Sequence, residues 1–496
     1  MFSGFKSLNV LLFLCISLLF VSCGSSTGSY TSMEDRITDP MQVQMFKKNI
    51  NYEGMDRNPL IIVHGFLGSS LIDPKTKDSL WGSFRAIDAI SISDKKMYEI
   101  AYPMEYGVKL DSLKDNVEVG CLLESVKISI CGIPFQVGAY KDLVDIMTRG
   151  GYVSDSRPMP EGKHFYSLFE FAYDWRQPIP KSSVQLGEFI KQKKEYLQKE
   201  YEKLYGVKNF DVQFDIIGHS MGGLVSKYYL MYGNQLLPED GSLPEVTWKG
   251  SEDIDRLIVM GTPNAGYLDT FLELQRGGKL QPYPPPALGT LPTYYQMLPA
   301  LYSHSIVYSD DPDGMIDYFD VDVWIKNKWG LASPDIDNTL KILLPGIKTS
   351  EDRRKIALDH LDKCLKSAKQ FISAMSVQEV PPADVRLDLF LGYGIMTTKR
   401  AFINRKTGTI ENVEYDSGDG KILATSALYD RNTEQHWGYF LNSPVQWDNV
   451  TILRAAHMGI TRDPTFADNI LFMLMSEETL QQKIVLGKIK IDQPNH

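Results

Sequence analysis

Cysteine is scarce in this chain, five in 496 residues, and no pair has the spacing of a zinc site. Two of them, Cys15 and Cys23, lie near the N-terminus, which leaves Cys121, Cys131 and Cys364. In an oxidising compartment Cys121 and Cys131 can close a small loop, whereas Cys364 sits in a charged helical pattern and reads as a spare thiol. Positive charge is also short: the net charge is −10, which argues against nucleic-acid binding. There is no internal repeat and no extended low-complexity segment. Nothing in the chain calls for a metal or an organic cofactor. The 43% hydrophobic and 23% charged content is ordinary for a globular protein and ample for a large core.

The one strongly apolar run, Leu8 to Val21, is too short for a comfortable membrane span. With Lys6 before it and Ser22-Cys23-Gly24-Ser25-Ser26 after it, the segment 1–22 reads as a signal peptide. Phe20-Val21-Ser22-Cys23 is similar to a bacterial lipobox, although phenylalanine stands where leucine is usual. That likeness implies lipidation of Cys23, and Gly24 after it suits the outer membrane of a Gram-negative cell. Residues 23–57 are then a tether and N-terminal extension.

Gly218-His219-Ser220-Met221-Gly222 follows the apolar run Val212 to Ile217 and precedes the helical pattern Leu224 to Leu230. Strand, G-x-S-x-G and helix together form the context of a nucleophile elbow. The turn demands small residues around the serine and aims a helix N-terminus at the substrate. Leu60 to Val63 is a continuous apolar run of strand length, expected in the middle of a parallel sheet, and Ile254 to Met260 reads as another buried strand. Ser183 to Tyr205 reads as an amphipathic helix, and strand character returns at Val385 to Leu391 and Val450 to Leu453. Residues 401–408 and 410–415 read as a hairpin, and Phe466 to Met475 as a last helix. Strands alternating with helices predict an α/β-hydrolase fold, a mostly parallel sheet covered on both faces. The core is expected over 58–266 and 385–496, with an insertion at 72–135. The stretch 267–384 is too long for a loop and reads as a cap.

Such a fold orders its reacting groups as serine, acid, histidine. Downstream of Ser220, His304 and His360 read as surface residues and His496 is terminal, leaving His436 and His457. His457 lies just past the last strand, where a loop can swing the imidazole over the elbow. It is favoured as general base and then general acid. The acid lies among Asp416, Asp419 and Asp430; Gly418 and Gly420 permit a sharp turn at Asp419, but a plain glycine turn has the same composition. An oxyanion hole needs two backbone N–H groups, expected from Met221 and from Phe66 in His64-Gly65-Phe66-Leu67-Gly68. His64, Gly65, Gly68, Gly218, His219 and Gly222 are expected to support the loop and the elbow.

His64-Gly65-Phe66-Leu67-Gly68-Ser69, Tyr173-Asp174-Trp175-Arg176, the elbow, Gly261-Thr262-Pro263-Asn264-Ala265-Gly266, Gly418-Asp419-Gly420 and His457 occur in that order. Together they resemble the lecithin:cholesterol acyltransferase family, which includes lysosomal phospholipase A2. The resemblance implies that Asp419 is the acid, that 72–135 is a membrane-contacting insertion and that 267–384 carries a lid. Lys421 stands where threonine is usual, and His64 where proline is often found, so substrate does not carry over. An Asp174–Arg176 ion pair holding the sheet edge is a simpler expectation than a catalytic role. The implied activity is serine-dependent hydrolysis or transfer of a lipid acyl ester, with a long-chain alcohol or lipid as acceptor. A carboxylesterase for small esters would share every reacting group, and a non-catalytic lipid-binding lipoprotein is the alternative of another class.

Overall fold

The computed structural model describes residues 47, 49–85, 98–130, 133–138, 140–275, 285–432 and 441–476. The signal-peptide segment, Cys23, Cys131, His436 and His496 lie outside them. Chain contacts separate Met1–Tyr52 from Glu53–His496, and the second unit alone is described below.

Six parallel strands form its central sheet: β1 Leu60–Val63, β2 Leu168–Phe171, β3 Phe214–His219, β4 Ile254–Met260, β5 Arg386–Gly392 and β6 Asn449–Leu453. Their spatial order is β6-β5-β4-β3-β1-β2. Every residue of β1, β3 and β4 is buried, as expected of strands covered on both faces. The chain lays β2 on one side of β1 and then returns to lay β3 on the other. This reversal opens a crevice at the carboxyl ends of β1 and β3, where ligands bind in open α/β sheets.

Helices α1 Lys141–Arg149, α2 Ile179–Tyr205, α3 Met221–Tyr232 and, after the 267–384 segment, α5 Pro464–Ser476 cover the sheet, and α4 Ser350–Met375 packs outside α3. Helix α2 starts four residues before the expected Ser183, because Pro180 is tolerated in a first turn, where N–H groups have no intrahelical acceptor. It ends at Gly206 in the left-handed conformation, φ +71°. All of α3 is buried, because α4 closes its outer side: Tyr228 stacks on Phe371, and Tyr232 Oη donates to the Ala374 carbonyl at 2.8 Å. Among the described residues no helix is long and apolar enough to cross a membrane.

The insertion after β1 builds two small sheets, one from Ser69–Ile72, Ser79–Trp81 and Glu118–Leu122, the other from Ser83–Arg85, Ser125–Ile130 and Ile133–Gly138. The hairpin is longer than expected and stands apart from the central sheet. Its strands, Ile395–Ile403 and Ile410–Gly418, pair with each other, and the first also pairs with Ile306–Tyr308 of the 267–384 segment. Cap and hairpin therefore share a sheet, and the second hairpin strand delivers the chain to Asp419.

Candidate active site

Ser220 stands between β3 and α3 at φ +55° and ψ −125°. A non-glycine residue held there stores about 1–3 kcal/mol of backbone strain. The turn closes because its flanks are small. A Cβ on Gly222 would run into the Val63 and His64 carbonyls, and one on Gly218 would come within 2.7 Å of the Gly223 Cα.

The loop after β6 places His457 over the serine, with Nε2 3.0 Å from Ser220 Oγ. On the other side of the ring, Nδ1 lies 2.7 Å from Asp419 Oδ2. The second carboxylate oxygen, Oδ1, accepts the Lys421 and Ile422 amides at 2.9 and 2.6 Å. The Asp419 carbonyl accepts the His457 amide at 2.9 Å. A buried carboxylate with three hydrogen bonds is held in one orientation, and it fixes the imidazole with Nδ1–H toward itself and a free lone pair toward Ser220. Asp416 instead faces solvent and pairs with Lys399 at 2.7 Å, while Asp430 caps its own turn through the Asn432 amide. Gly261 lies beneath this line with φ +54°; a Cβ there would meet His457 Nδ1 at 3.1 Å and Asp419 Oδ2 at 3.2 Å. Its place in a positive-φ turn against the imidazole explains why the motif after β4 begins with glycine.

Met221 opens α3, so its amide has no intrahelical acceptor. Gly68 N–H closes the oxyanion-loop turn onto the Gly65 carbonyl at 3.1 Å, which leaves the Phe66 amide outside the turn's own bond. His64 shapes this loop from beneath. Its Nε2 accepts the Tyr173 amide at 3.2 Å, so Nδ1 carries the proton and donates to the Gly65 carbonyl at 2.7 Å. Complete burial pushes the His64 pKa down to about 4, keeping the ring neutral. The ring stacks on Tyr173 at 4.1 Å, and Tyr173 Oη donates to the His64 carbonyl at 2.7 Å. A side chain on Gly68 would strike the same ring.

Tyr173-Asp174-Trp175-Arg176 is thereby explained as a buttress. Trp175 Nε1 donates to the Ser69 carbonyl at 3.2 Å and meets the Phe66 ring edge-on at 5.0 Å. Buried Arg176 binds both Asp174 oxygens, at 2.9 and 2.8 Å, and also Asp115 and the Ala101 carbonyl of the insertion. The pair ties the insertion to the core.

Above the serine lies a cavity of about 460 Å³, within the range of small-ligand sites. Core, insertion and cap all contribute to its walls, among them Phe66, Trp81, Leu123, Leu288 and Tyr294. Trp81, Tyr294 and Tyr140 carried no signal in the sequence, because each reaches the site from a separate part of the chain. The cap also touches both residues expected to supply oxyanion amides: Tyr294 packs against Phe66 at 5.1 Å, and Thr293 Oγ1 donates to Met221 Sδ at 2.9 Å.

Other expectations fare differently. His360 is buried rather than at the surface, because the long charged helix α4 turns this face inward; its Nε2 donates to the Thr290 carbonyl at 2.8 Å. Cys364, one turn later, is buried beside it. Cys121 is exposed, and its suggested partner Cys131 falls outside the described residues. Among the described residues no cluster of His, Cys, Asp and Glu could hold a metal ion.

The family model for lecithin:cholesterol acyltransferase matches residues 77–286, from the insertion through the elbow into the cap. The match bears out the resemblance carried by the motifs, and it stops short of Asp419 and His457. No curated protein matches the chain. Among solved structures it is similar to Tle4 in the Tle4-Tli4 complex, with 10% identity, TM-score 0.47 and coverage of 84% of this chain and 98% of that one. It is also similar to the Bacillus licheniformis lipase BlEst2 in propeptide form, with 10% identity, TM-score 0.29 and coverage of 87% and 52%. The lin2722 product of Listeria innocua gives 12% identity, TM-score 0.26 and coverage of 88% and 97%. Likeness at this level carries no functional information. The α/β-hydrolase fold is seen in this chain's own strand order and elbow.

Proposed function

We propose that the chain is a serine-dependent lipid-ester hydrolase or acyltransferase. The observation that carries this is the hydrogen-bonded line Ser220–His457–Asp419 at 3.0 and 2.7 Å, opening on a cavity walled largely by apolar side chains. The family match over 77–286 supports an acyl ester of a lipid as the substrate class.

Ser220 Oγ attacks the ester carbonyl carbon while its proton passes to His457 Nε2. Asp419 holds the Nδ1–H and stabilises the imidazolium. The Phe66 and Met221 amides donate to the developing oxyanion. Collapse of the tetrahedral adduct expels the alcohol, which takes the proton from His457 Nε2 and leaves an acyl-serine. Water or a second alcohol then attacks the acyl group by the reverse path, giving hydrolysis or transfer. Cys23 as a lipidated anchor would keep this chemistry at a membrane surface, in the outer membrane of a Gram-negative cell. Radiolabelled palmitate incorporation that persists in Cys23→Ala would refute the anchor.

The test of the function is ester hydrolysis by purified protein together with fluorophosphonate labelling. Both should vanish in Ser220→Ala. Full activity in that variant, or failure of the parent protein to be labelled, would overturn the assignment.

A further inference from the structure

Tyr140 is the residue just before α1, buried, and remote in sequence from Ser220, Asp419 and His457. Its hydroxyl lies between Gly65 and His219. The Gly65 amide donates to Tyr140 Oη at 2.7 Å, and Oη lies 2.9 Å from His219 Nδ1. The far nitrogen of that imidazole, Nε2, lies 3.4 Å from the His457 carbonyl oxygen. These three contacts fix the protons. A carbonyl oxygen only accepts, so His219 Nε2 carries the hydrogen and Nδ1 is the acceptor. Tyr140 therefore donates to Nδ1 and accepts from Gly65.

Each end of this chain is one step from a reacting group. Gly65 precedes Phe66, His219 precedes Ser220, and His457 is the imidazole itself. Three segments from β1, β3 and β6 are thus joined by one phenol and one neutral imidazole, both of which line the cavity. Burial and the neighbouring His457 push the His219 pKa down to about 3, so its Nδ1 lone pair persists wherever an esterase would be assayed. A Cβ on Gly65 would sit 2.8 Å from the Ser220 Cβ, so the oxyanion loop has little room to move without disturbing the elbow. The Tyr140 hydrogen is committed to His219, so its hydroxyl is not a third oxyanion donor.

We infer that Tyr140 is a positioning residue which, through His219, holds the Phe66 amide and the His457 imidazole in register with Ser220. This rests on the serine-esterase reading of the site. Removing the hydroxyl frees the Gly65 amide and one nitrogen of His219, so the oxyanion donor loses its fixed place, while phenylalanine keeps the ring that lines the cavity. The loss should fall on kcat and leave KM alone, because the affected groups bind the oxyanion more strongly than the ground-state ester. Its size should be about tenfold to a hundredfold, below the ~10²–10³ of deleting an oxyanion donor outright.

The experiment measures kcat and KM for a p-nitrophenyl ester, the rate of fluorophosphonate labelling, and the unfolding midpoint. The variants are Tyr140→Phe, His219→Asn, His219→Gln and the double variant Tyr140→Phe/His219→Asn. Asparagine keeps an acceptor toward Tyr140, and glutamine keeps a donor toward the His457 carbonyl. The expected result is a fall in kcat and labelling rate at unchanged KM for Tyr140→Phe, with no further fall on adding His219→Asn. Unchanged kcat in Tyr140→Phe, or a fall carried wholly by KM, overturns the inference, as does full additivity in the double variant. If Tyr140→Phe does not fold, the two His219 variants decide: equal and unimpaired kcat in both overturns it. Ser220→Ala separates the two levels. Inert Ser220→Ala beside fully active Tyr140→Phe defeats the positioning role alone, whereas activity in both defeats the reading of the site.

Discussion

Asp419→Asn is the most informative substitution, because the surrounding amides dictate its outcome. Asp419 Oδ1 accepts the Lys421 and Ile422 N–H groups, and Oδ2 faces His457 Nδ1. Asparagine has one oxygen, and two fixed donors compete for it against one imidazole. The oxygen should therefore take the Oδ1 place and the amide nitrogen the Oδ2 place. That NH2 group donates to His457 Nδ1, so the ring must shift its proton to Nε2. The Nε2–H then points at Ser220 Oγ and cannot accept the serine proton. Both backbone amides remain paired, so stability should change little, unlike Asp419→Ala, which would strand the buried Ile422 donor at about 1–3 kcal/mol and the partly buried Lys421 donor besides. A wrong tautomer at this position costs about 10³–10⁴ in kcat, or about 4–5.5 kcal/mol of barrier. Steady-state hydrolysis of p-nitrophenyl butyrate with the unfolding midpoint measured alongside checks it. An Asp419→Asn protein with unchanged midpoint and more than a tenth of the parental kcat would refute the reasoning.

Three further outcomes follow from the same geometry. Gly261→Ala should lower kcat by at least tenfold and also cost stability, since its Cβ adds backbone strain at φ +54° and presses on the His457–Asp419 pair; parental kinetics would contradict this. Arg176→Ala should lower the unfolding free energy by about 2–4 kcal/mol, since it leaves Asp174 and Asp115 partly buried without their cation. Denaturant titration reads that change, and a loss under 0.5 kcal/mol would show that the pair does not tie the insertion down. Burial beside Asp255 raises the Asp215 pKa to about 7, with Arg256, Arg386 and the Asn58 amide acting against the rise. The native state therefore holds this proton more tightly than the unfolded chain does. The associated stability is complete below the unfolded carboxylate pKa of about 3.9 and is lost as pH rises to about 7. Asp215→Asn, which keeps the shape of the protonated form, should flatten that part of the midpoint-against-pH curve relative to the parent. Parallel curves would refute it.

What the chain determined by itself is what depends on neighbouring residues. The elbow is a local object: a buried strand, a turn that tolerates only small residues two places either side of Ser220, and a helix start. Leu60–Val63 is apolar throughout because both faces of that strand are covered, so composition alone marks it as central. Tertiary structure decided what depends on register and distance. Asp416, Asp419 and Asp430 are close in sequence, and only the hairpin ending at Gly418 turns Asp419 inward while Asp416 stays with Lys399 in solvent. His360 lies on a helix whose charges suggest exposure, yet packing turns that face of α4 inward. Tyr140 follows a long insertion and has no local signature, because its hydrogen bonds reach 75 residues back and 79 forward along the chain. Helix and strand follow from short-range periodicity, whereas a site assembled at the ends of four strands follows from how the sheet closes, which no short window of residues contains.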